Sequence, residues 1–393
     1  MSENTTTSPA GVAAAAAAVR RVIAGARAGL VERDSLVEAV ALTAVAGEHL
    51  LVIGPPGTAK SEAVRRMARG LGGQYFEYLI GRFTEPNEIF GPVDLRRLRE
   101  GVVETETTGM LPEAEIAFLD EIFLGSTAIL NTLLALLNER TYRRGHTRMQ
   151  CPLRICVSAA NALPTDDSLA AFADRFLVRI FVEPIADPRL EELLEGGWRL
   201  GTAGGGDSGV AHPPATLRDL DTLAVAAQAA EMGGVRPLLA QSLRVLRAAG
   251  VQLSDRRAVK VQRLVAAAGV LAGRTSPTAA DLWPLILAIP TAEGQTLARE
   301  RLRDLLQETE NAALPAAAEE ASLGPLARAT RLCVAGRALL EAPPVAAEDL
   351  PAWRLRLEGV VREIDAGFAS NQLPPDLAEV RTTIAGRLEQ GDA

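Results

Sequence analysis

The sequence predicts an α/β fold, a parallel sheet covered by helices on both faces, followed by an all-α region. Three observations carry this. Short apolar runs of strand length recur at Leu50–Ile53, 74–80, 116–119, 153–159 and 176–182, alternating with helical patterns, as a parallel, doubly covered sheet requires. Beyond about residue 216 the strands stop and apolar residues recur at helical spacing. Much of the apolar content is Ala and Leu, and aromatic residues make up only 4% of the 393, which suits helices packed through small side chains.

Residues 1–19 read as a disordered or helical tail, with the Ala run 13–18 opening a helix. That run lacks the layout of a secretory signal, because Arg20 and Arg21 follow the apolar stretch instead of preceding it. No run reaches the ~20 apolar residues that span a bilayer. Residues 10–46 read as helical, with Ser35 and Glu38 forming a capping box, Leu36, Val37, Val40, Ala44 and Val45 at helical spacing, and Gly47 as the stop. The α/β region is expected over 20–195. Its fullest helix lies near 126–139, where Ile129, Leu130, Leu133, Leu134 and Leu137 make an apolar stripe. Two polar stretches interrupt the alternation and read as hairpins: 92–109, turning at Glu100-Gly101, and 141–150, turning at Arg144-Gly145. The Gly-rich text at 196–216 reads as a linker, 217–310 as a helical subdomain, and 311–393 as a helical extension broken by Pro at 343–344 and 374–375.

With 41 basic and 49 acidic residues the net charge is −8, so duplex nucleic acid is not the default partner. Cys151, Cys156 and Cys333 form no C-x-x-C pair, which points to free thiols in a reducing, cytoplasmic setting. His49, His146 and His212 show no zinc spacing.

The strongest motif is GPPGTAKS, Gly54, Pro55, Pro56, Gly57, Thr58, Ala59, Lys60 and Ser61, between a strand and a helix. A tight Gly-rich turn there lets backbone N–H groups face phosphates, and the helix N-terminus adds its positive dipole end. Lys60 suits the β- and γ-phosphates of ATP, and Ser61 suits Mg²⁺. The usual pattern has Gly where Ala59 stands, and the expectation is that Ala is tolerated at negative φ. The second motif, IAFLDE at 116–121, is an apolar strand ending in two acids: Asp120 for Mg²⁺ and Glu121 to polarise the attacking water. The third, SAAN at 158–161, puts Asn161 at another strand tip, able to hold that water or the γ-phosphate. All three sit at carboxyl ends of strands, where ligands bind in open α/β sheets.

GPPGTAKS, FLDE, AAN and DRF in this order resemble an AAA+ module. The fuller set, LVERDSLVEAVALTAVAGEHLLVIGPPGTAKS, RFTEPNEIFGP, LPEAEIAFLDEI, ILNTLLALLNER and SDRR at 254–257, is similar to the MoxR family of AAA+ ATPases and to its RavA-like branch, over roughly 20–290. The resemblance implies a five-stranded sheet of order 5-1-4-3-2, pore-facing insertions at 92–109 and 141–150, and a helical lid. It makes Asn161 sensor 1, Arg175 an arginine finger acting on a neighbouring subunit, and Arg256 sensor 2, with Arg257 the lesser candidate. It also implies a homo-oligomeric ring, a hexamer, working on protein partners that bear a von Willebrand factor A (vWA) domain. The RavA-like branch carries a compact β-rich part after the lid, whereas 311–393 reads as helical, so that branch's partner specificity does not transfer. The alternatives are a nucleic-acid-translocating motor, which the acidic balance disfavours, and a nucleotide-gated scaffold with little turnover, which the full set Lys60, Asp120, Glu121 and Asn161 disfavours.

Overall fold

Four of the five apolar runs become strands because they are buried from both sides, and the run at 74–80 forms a partly exposed edge strand. In the computed structural model, which describes residues 8–185, 190–202, 215–307, 309, 311–344, 350–367 and 373–389, the chain opens with α1 (Pro9–Arg27) and α2 (Asp34–Val45). β1 (Leu50–Ile53), α3 (Lys60–Leu71) and β2 (Tyr75–Leu79) follow, then two short helices, α4 (Pro86–Phe90) and α5 (Leu95–Arg99). Next come β3 (Ile116–Asp120), α6 (Thr127–Glu139), a hairpin of β4 (Thr141–Arg144) and β5 (Thr147–Gln150), β6 (Ile155–Ala160), α7 (Asp167–Ala173) and β7 (Val178–Phe181).

The sheet order is β2-β3-β6-β1-β7, all parallel. Numbering the five sheet strands among themselves, this is 5-1-4-3-2 read from β7. Alternate residues of β1 serve opposite layers, as strand geometry demands. Leu50 and Val52 join the core made with α1, α2 and α3, and Leu51 and Ile53 join the core made with α6 and α7. By length and composition α1 could cross a bilayer, yet Val12, Ala16, Val19 and Ile23 are buried in the first of those cores, and the helix packs on α3. Register sets all the carboxyl ends at one edge of the sheet: Ile53 lies beside Ala160 and Phe181, and Leu79 beside Asp120.

α8 (Leu190–Thr202) follows β7; α9 (Leu217–Gln228), α10 (Arg236–Ala248), α11 (Asp255–Leu271), α12 (Pro284–Leu287), α13 (Ala292–Arg301), α14 (Arg303–Leu306) and α15 (Pro315–Leu323) come next. Residues 208–321 form one compact unit with 1–183, and α9 and α11 share its core around the fully buried Trp283. The second unit comprises 184–207 and 322–393. It holds α8, α16 (Pro325–Glu341), α17 (Leu350–Gly367) and α18 (Pro375–Glu389), around Leu332, Leu357, Val360, Leu377 and Ile384. Gly336 lets α16 approach α18 closely: a Cβ there would lie 2.6 Å from Val380 Cγ1.

Four expectations change. Ser35 and Glu38 do not cap α2, which starts at Asp34 without a side-chain cap. Glu38 is instead fully buried, paired with Arg27 at 2.8 Å and accepting the Ala317 N–H at 2.7 Å; a buried carboxylate needs such partners more than a local turn does. The segment DLRRLR is a helix, not a strand, because Asp94 accepts the Arg96 and Arg97 N–H groups as an N-cap. Only the Val93–Thr105 bridge survives of the first hairpin. In the second hairpin the turn is Gly145-His146, one residue later than expected. Residues 196–202 belong to α8 rather than to a linker, and 203–214 lie outside the described residues. The two insertions are joined: His146 N–H donates to Val103 O at 2.8 Å and Thr105 N–H to Thr147 Oγ1 at 2.8 Å, while Arg144 donates to Asn87 Oδ1 of α4 at 2.9 Å.

Candidate active site

β1 ends between β6 and β7, so the chain leaves it through a narrow gap. Gly54 fits that gap: its N–H donates to Ala160 O at 3.0 Å, and a Cβ would sit 2.2 Å from Val182 O. The loop then turns through Gly57 at φ +77° and Ala59 at φ +56°. The expectation of negative φ at Ala59 is therefore corrected. Ala occupies the left-handed region here, at a cost on the order of 1 kcal/mol. Thr58 Oγ1 donates to Pro55 O at 3.0 Å, and Lys60 Nζ donates to Gly54 O at 2.8 Å and Pro55 O at 2.9 Å. Burial lowers the Lys60 pKa, while Asp120 and Glu121 pull it back towards the charged form. The amides of Gly57, Thr58 and Ala59 make no hydrogen bond among the described residues. These donors, at the N-terminus of the twelve-residue α3, with Lys60 beside them, fit a triphosphate.

At the tip of β3, Asp120 Oδ1 accepts the Glu121 N–H at 3.0 Å, and Glu121 turns the chain at φ +51°. A left-handed glutamate is uncommon, and such strain collects where a side chain must be aimed. From the tip of the neighbouring β6, Asn161 Nδ2 donates to Glu121 Oε1 at 2.7 Å. Ser61, in the first turn of α3, and Asp120, both half-buried, are oxygen donors of the kind Mg²⁺ takes.

Sequence reasoning missed Arg33. It is 4% exposed, and its guanidinium donates from Nε to Thr58 O at 2.7 Å and from Nη2 to Glu183 O at 2.9 Å. Arg33 thus ties the phosphate loop to the segment leaving β7. The signal available in the sequence was an isolated Arg just ahead of an apolar helix, too common to single out.

Arg175 and Arg256 lie elsewhere. Arg175 precedes β7, so the length of that strand, roughly 13 Å, separates it from the phosphate loop. Arg256, on α11, donates to Asn138 Oδ1 at 2.6 Å. Asn138 ends α6 at the amino edge, where the adjoining Arg140 bonds Gly47 O and Arg154 O. Neither arginine has a carboxylate partner among the described residues, and the Arg175 Nε is buried without an acceptor. Arg257 is different. It is 2% exposed and donates to Ala288 O, Phe176 O, Leu177 O and Asp174, so its donors are used up in holding α11 to the sheet.

The sheet order, the phosphate loop at its carboxyl edge and the helices that follow define an AAA+ P-loop module. A family model described as the MoxR domain in the MoxR-vWA-beta-propeller ternary systems matches residues 17–221, just over half of the chain, and the chain belongs to the MoxR family of AAA+ ATPases. An uncharacterized protein of Methanocaldococcus jannaschii is 34% identical over 249 residues, 62% of this chain and 64% of that one. Another from the same organism is 45% identical over 148 residues, 37% of this chain and 39% of that one. Chaperone MoxR1 of Mycobacterium tuberculosis is 29% identical over 187 residues, 47% of this chain and 46% of that one. The chain spans less than two thirds of the length of these relatives. A solved structure of a candidate ATPase from Cytophaga hutchinsonii superposes with a TM-score of 0.60, covering 76% of this chain and 96% of that one at 15% identity, a likeness of fold alone.

Proposed function

We propose that this chain hydrolyses ATP in a head-to-tail ring, a hexamer, and uses the cycle to remodel or activate a protein partner of the vWA class in the cytoplasm. One observation carries the reading: Asn161 fixes Glu121 Oε1 at 2.7 Å, on the same sheet edge as the phosphate loop, while Arg175 and Arg256 stand on the opposite edge. With Oε1 committed to the amide, Oε2 is left to orient water and take its proton. Lys60 and the loop amides hold the β- and γ-phosphates, and Ser61 and Asp120 hold Mg²⁺, which when bound spreads the phosphate charge. The arginines complete the site of an adjacent subunit. Support for the partner class comes from the description of the matching family, which sets MoxR beside vWA and β-propeller components; the RavA-like placement rests on sequence motifs alone. The test is ATP turnover per subunit as a function of protein concentration. A rise as rings assemble is expected, and Lys60→Ala turning over at the wild-type rate would refute the site.

A second reading, translocation on a nucleic acid, is favoured by one observation. Arg143 lies directly opposite Arg148 in the β4–β5 hairpin, both exposed, and like charges so placed repel. An anionic chain would relieve this, but an acidic client segment does so equally. The insertions offer a base little to stack on: Tyr142 is buried and only the His146 imidazole is exposed. Retention of single-stranded DNA at ~0.15 M salt would select the motor.

A further inference from the structure

The two insertions, 92–109 and the β4–β5 hairpin at 141–150, carry six arginines against four acids in a chain whose net charge is −8. All four acids are spent within the insertions. Asp94 caps α5 by accepting the Arg96 and Arg97 N–H groups. Glu104 and Glu100 pair with Arg97 at 2.9 and 3.1 Å. Glu106 accepts both the N–H and the hydroxyl of Thr108. Of the arginines, Arg97 is thereby neutralised, and Arg144 is turned onto Asn87 Oδ1 and Gly91 O. Arg96, Arg99, Arg143 and Arg148 are exposed and have no carboxylate in ion-pair reach among the described residues. Arg143 and Arg148 stand directly opposite each other across the hairpin, an arrangement that costs stability unless a counter-charge comes from outside.

Apolar groups are bared beside these charges. α5 buries none of its residues. Leu95 and Leu98, three apart and so on one face of the helix, are 69% and 45% exposed, and Val103 is 40% exposed. The surface is nonetheless held in shape. The hairpin tip presses so closely on the first insertion that a Cβ on Gly145 would lie 2.5 Å from Val103 O, and the His146 and Thr105 N–H groups fasten the two together. A preformed surface of aliphatic side chains and unpaired guanidiniums fits a ligand that is itself both apolar and anionic. Guanidiniums take carboxylates in paired N–H···O bonds, and the leucines need apolar atoms to cover them. A polynucleotide matches less well, because its closely spaced phosphates would also meet Glu100, Glu104 and Glu106. We propose that the two insertions form one docking surface for an acidic, apolar segment of a protein client, whose carboxylates pair with the four free arginines while its apolar side chains cover Leu95 and Leu98. This rests on the client reading above and names the chemistry that the client must present.

The probe is a short fluorescent peptide in which Asp and Glu alternate with Leu and Phe. It is compared with versions carrying Lys for the acids or Ser for the apolar residues, and with oligothymidylate. Read by anisotropy on the full chain at ~0.1 M salt, the acidic apolar peptide should bind at least ~10-fold more tightly than either altered version. Arg143→Glu combined with Arg148→Glu should weaken the acidic peptide by ~10-fold or more and tighten the Lys version, an exchange of preference that a damaged fold would not produce. Leu95→Ser combined with Leu98→Ser should weaken the acidic peptide by ~10-fold and leave the unfolding midpoint unchanged. Charge reversal that leaves the acidic peptide bound as before overturns the proposal. So does oligothymidylate binding more tightly than the peptide, which would give the surface to nucleic acid. Because binding is read without ATP, a chain that docks the peptide as expected yet hydrolyses no ATP upholds the surface and sinks the ATPase reading; ATP turnover without peptide binding does the reverse.

Discussion

The two edges of the sheet organise their polar groups differently. At the carboxyl edge the functional side chains are tied down: Lys60 to Gly54 and Pro55 carbonyls, Asn161 to Glu121, Arg33 to the Thr58 carbonyl. At the amino edge, of the three arginines discussed only Arg257 is locked, while Arg256 rests on one Asn138 oxygen and Arg175 leaves its Nε unsatisfied. A site that must be preformed is built from groups that satisfy one another; the arginines proposed to serve a neighbouring subunit keep donors in reserve. Arg256 and Arg257, adjacent in sequence, fall on opposite sides of that divide because one is half-buried and the other wholly so.

The largest effect should come from separating the edges genetically. Glu121→Gln and Arg175→Ala should each lower turnover by ~10³ or more, and mixing the two inactive proteins should regain activity, because some junctions then pair an intact Glu121 with an intact Arg175. Mixed rings as inactive as either parent would place both residues in one site and erase the contrast. Next, Arg257→Ala should destabilise the fold by about 3 kcal/mol, since it strips partners from buried carbonyls, seen as a lowered unfolding midpoint, whereas Arg256→Ala should leave the midpoint unchanged and reduce turnover. The reverse pattern would exchange their roles. Arg33→Ala should raise the KM for ATP by ~10-fold with little change in kcat, because it loosens the loop and not the reacting groups; loss of a charged hydrogen bond of ~1.5 kcal/mol gives that factor. Arg33→Lys should not restore it, as one ammonium cannot span both carbonyls. The smallest change is Ala59→Gly, which should relieve left-handed strain and stabilise the chain by ~1 kcal/mol or less, measured by chemical denaturation.

The sheet was legible because its strands are short apolar runs, all but the edge strand β2 buried on both faces, and the carboxyl-edge residues because a phosphate loop needs Gly, Lys and Ser at fixed spacing on one short segment. What escaped depends on distant partners. Arg33 acquires its role from residues 58 and 183. Glu38 looked like a local cap at Ser35 and turned out to serve Ala317. DLRRLR read as a hairpin arm before the Glu100-Gly101 turn, and the Asp94 side chain capping Arg96 and Arg97 makes it a helix. The left-handed Ala59 could not be seen from composition, since the loop's shape follows from the squeeze of Gly54 between β6 and β7.

The buried Glu38 makes folding a proton-consuming reaction. Burial, outweighing the opposing pull of the Ala317 N–H and Arg27, raises its pKa from the ordinary value to about 7. Between the carboxylate range and about pH 7 the native chain holds a proton that the unfolded chain has released, so stability is fullest at the acidic end and declines as pH climbs through about 7. Calorimetry near pH 6 in buffers of different ionisation heat should register the uptake of about one proton per chain folded, and Glu38→Gln should abolish it and flatten the dependence of the midpoint on pH. The helix whose first turn that carboxyl grips, α15, is thereby coupled to the acidity of its surroundings through a single side chain on α2.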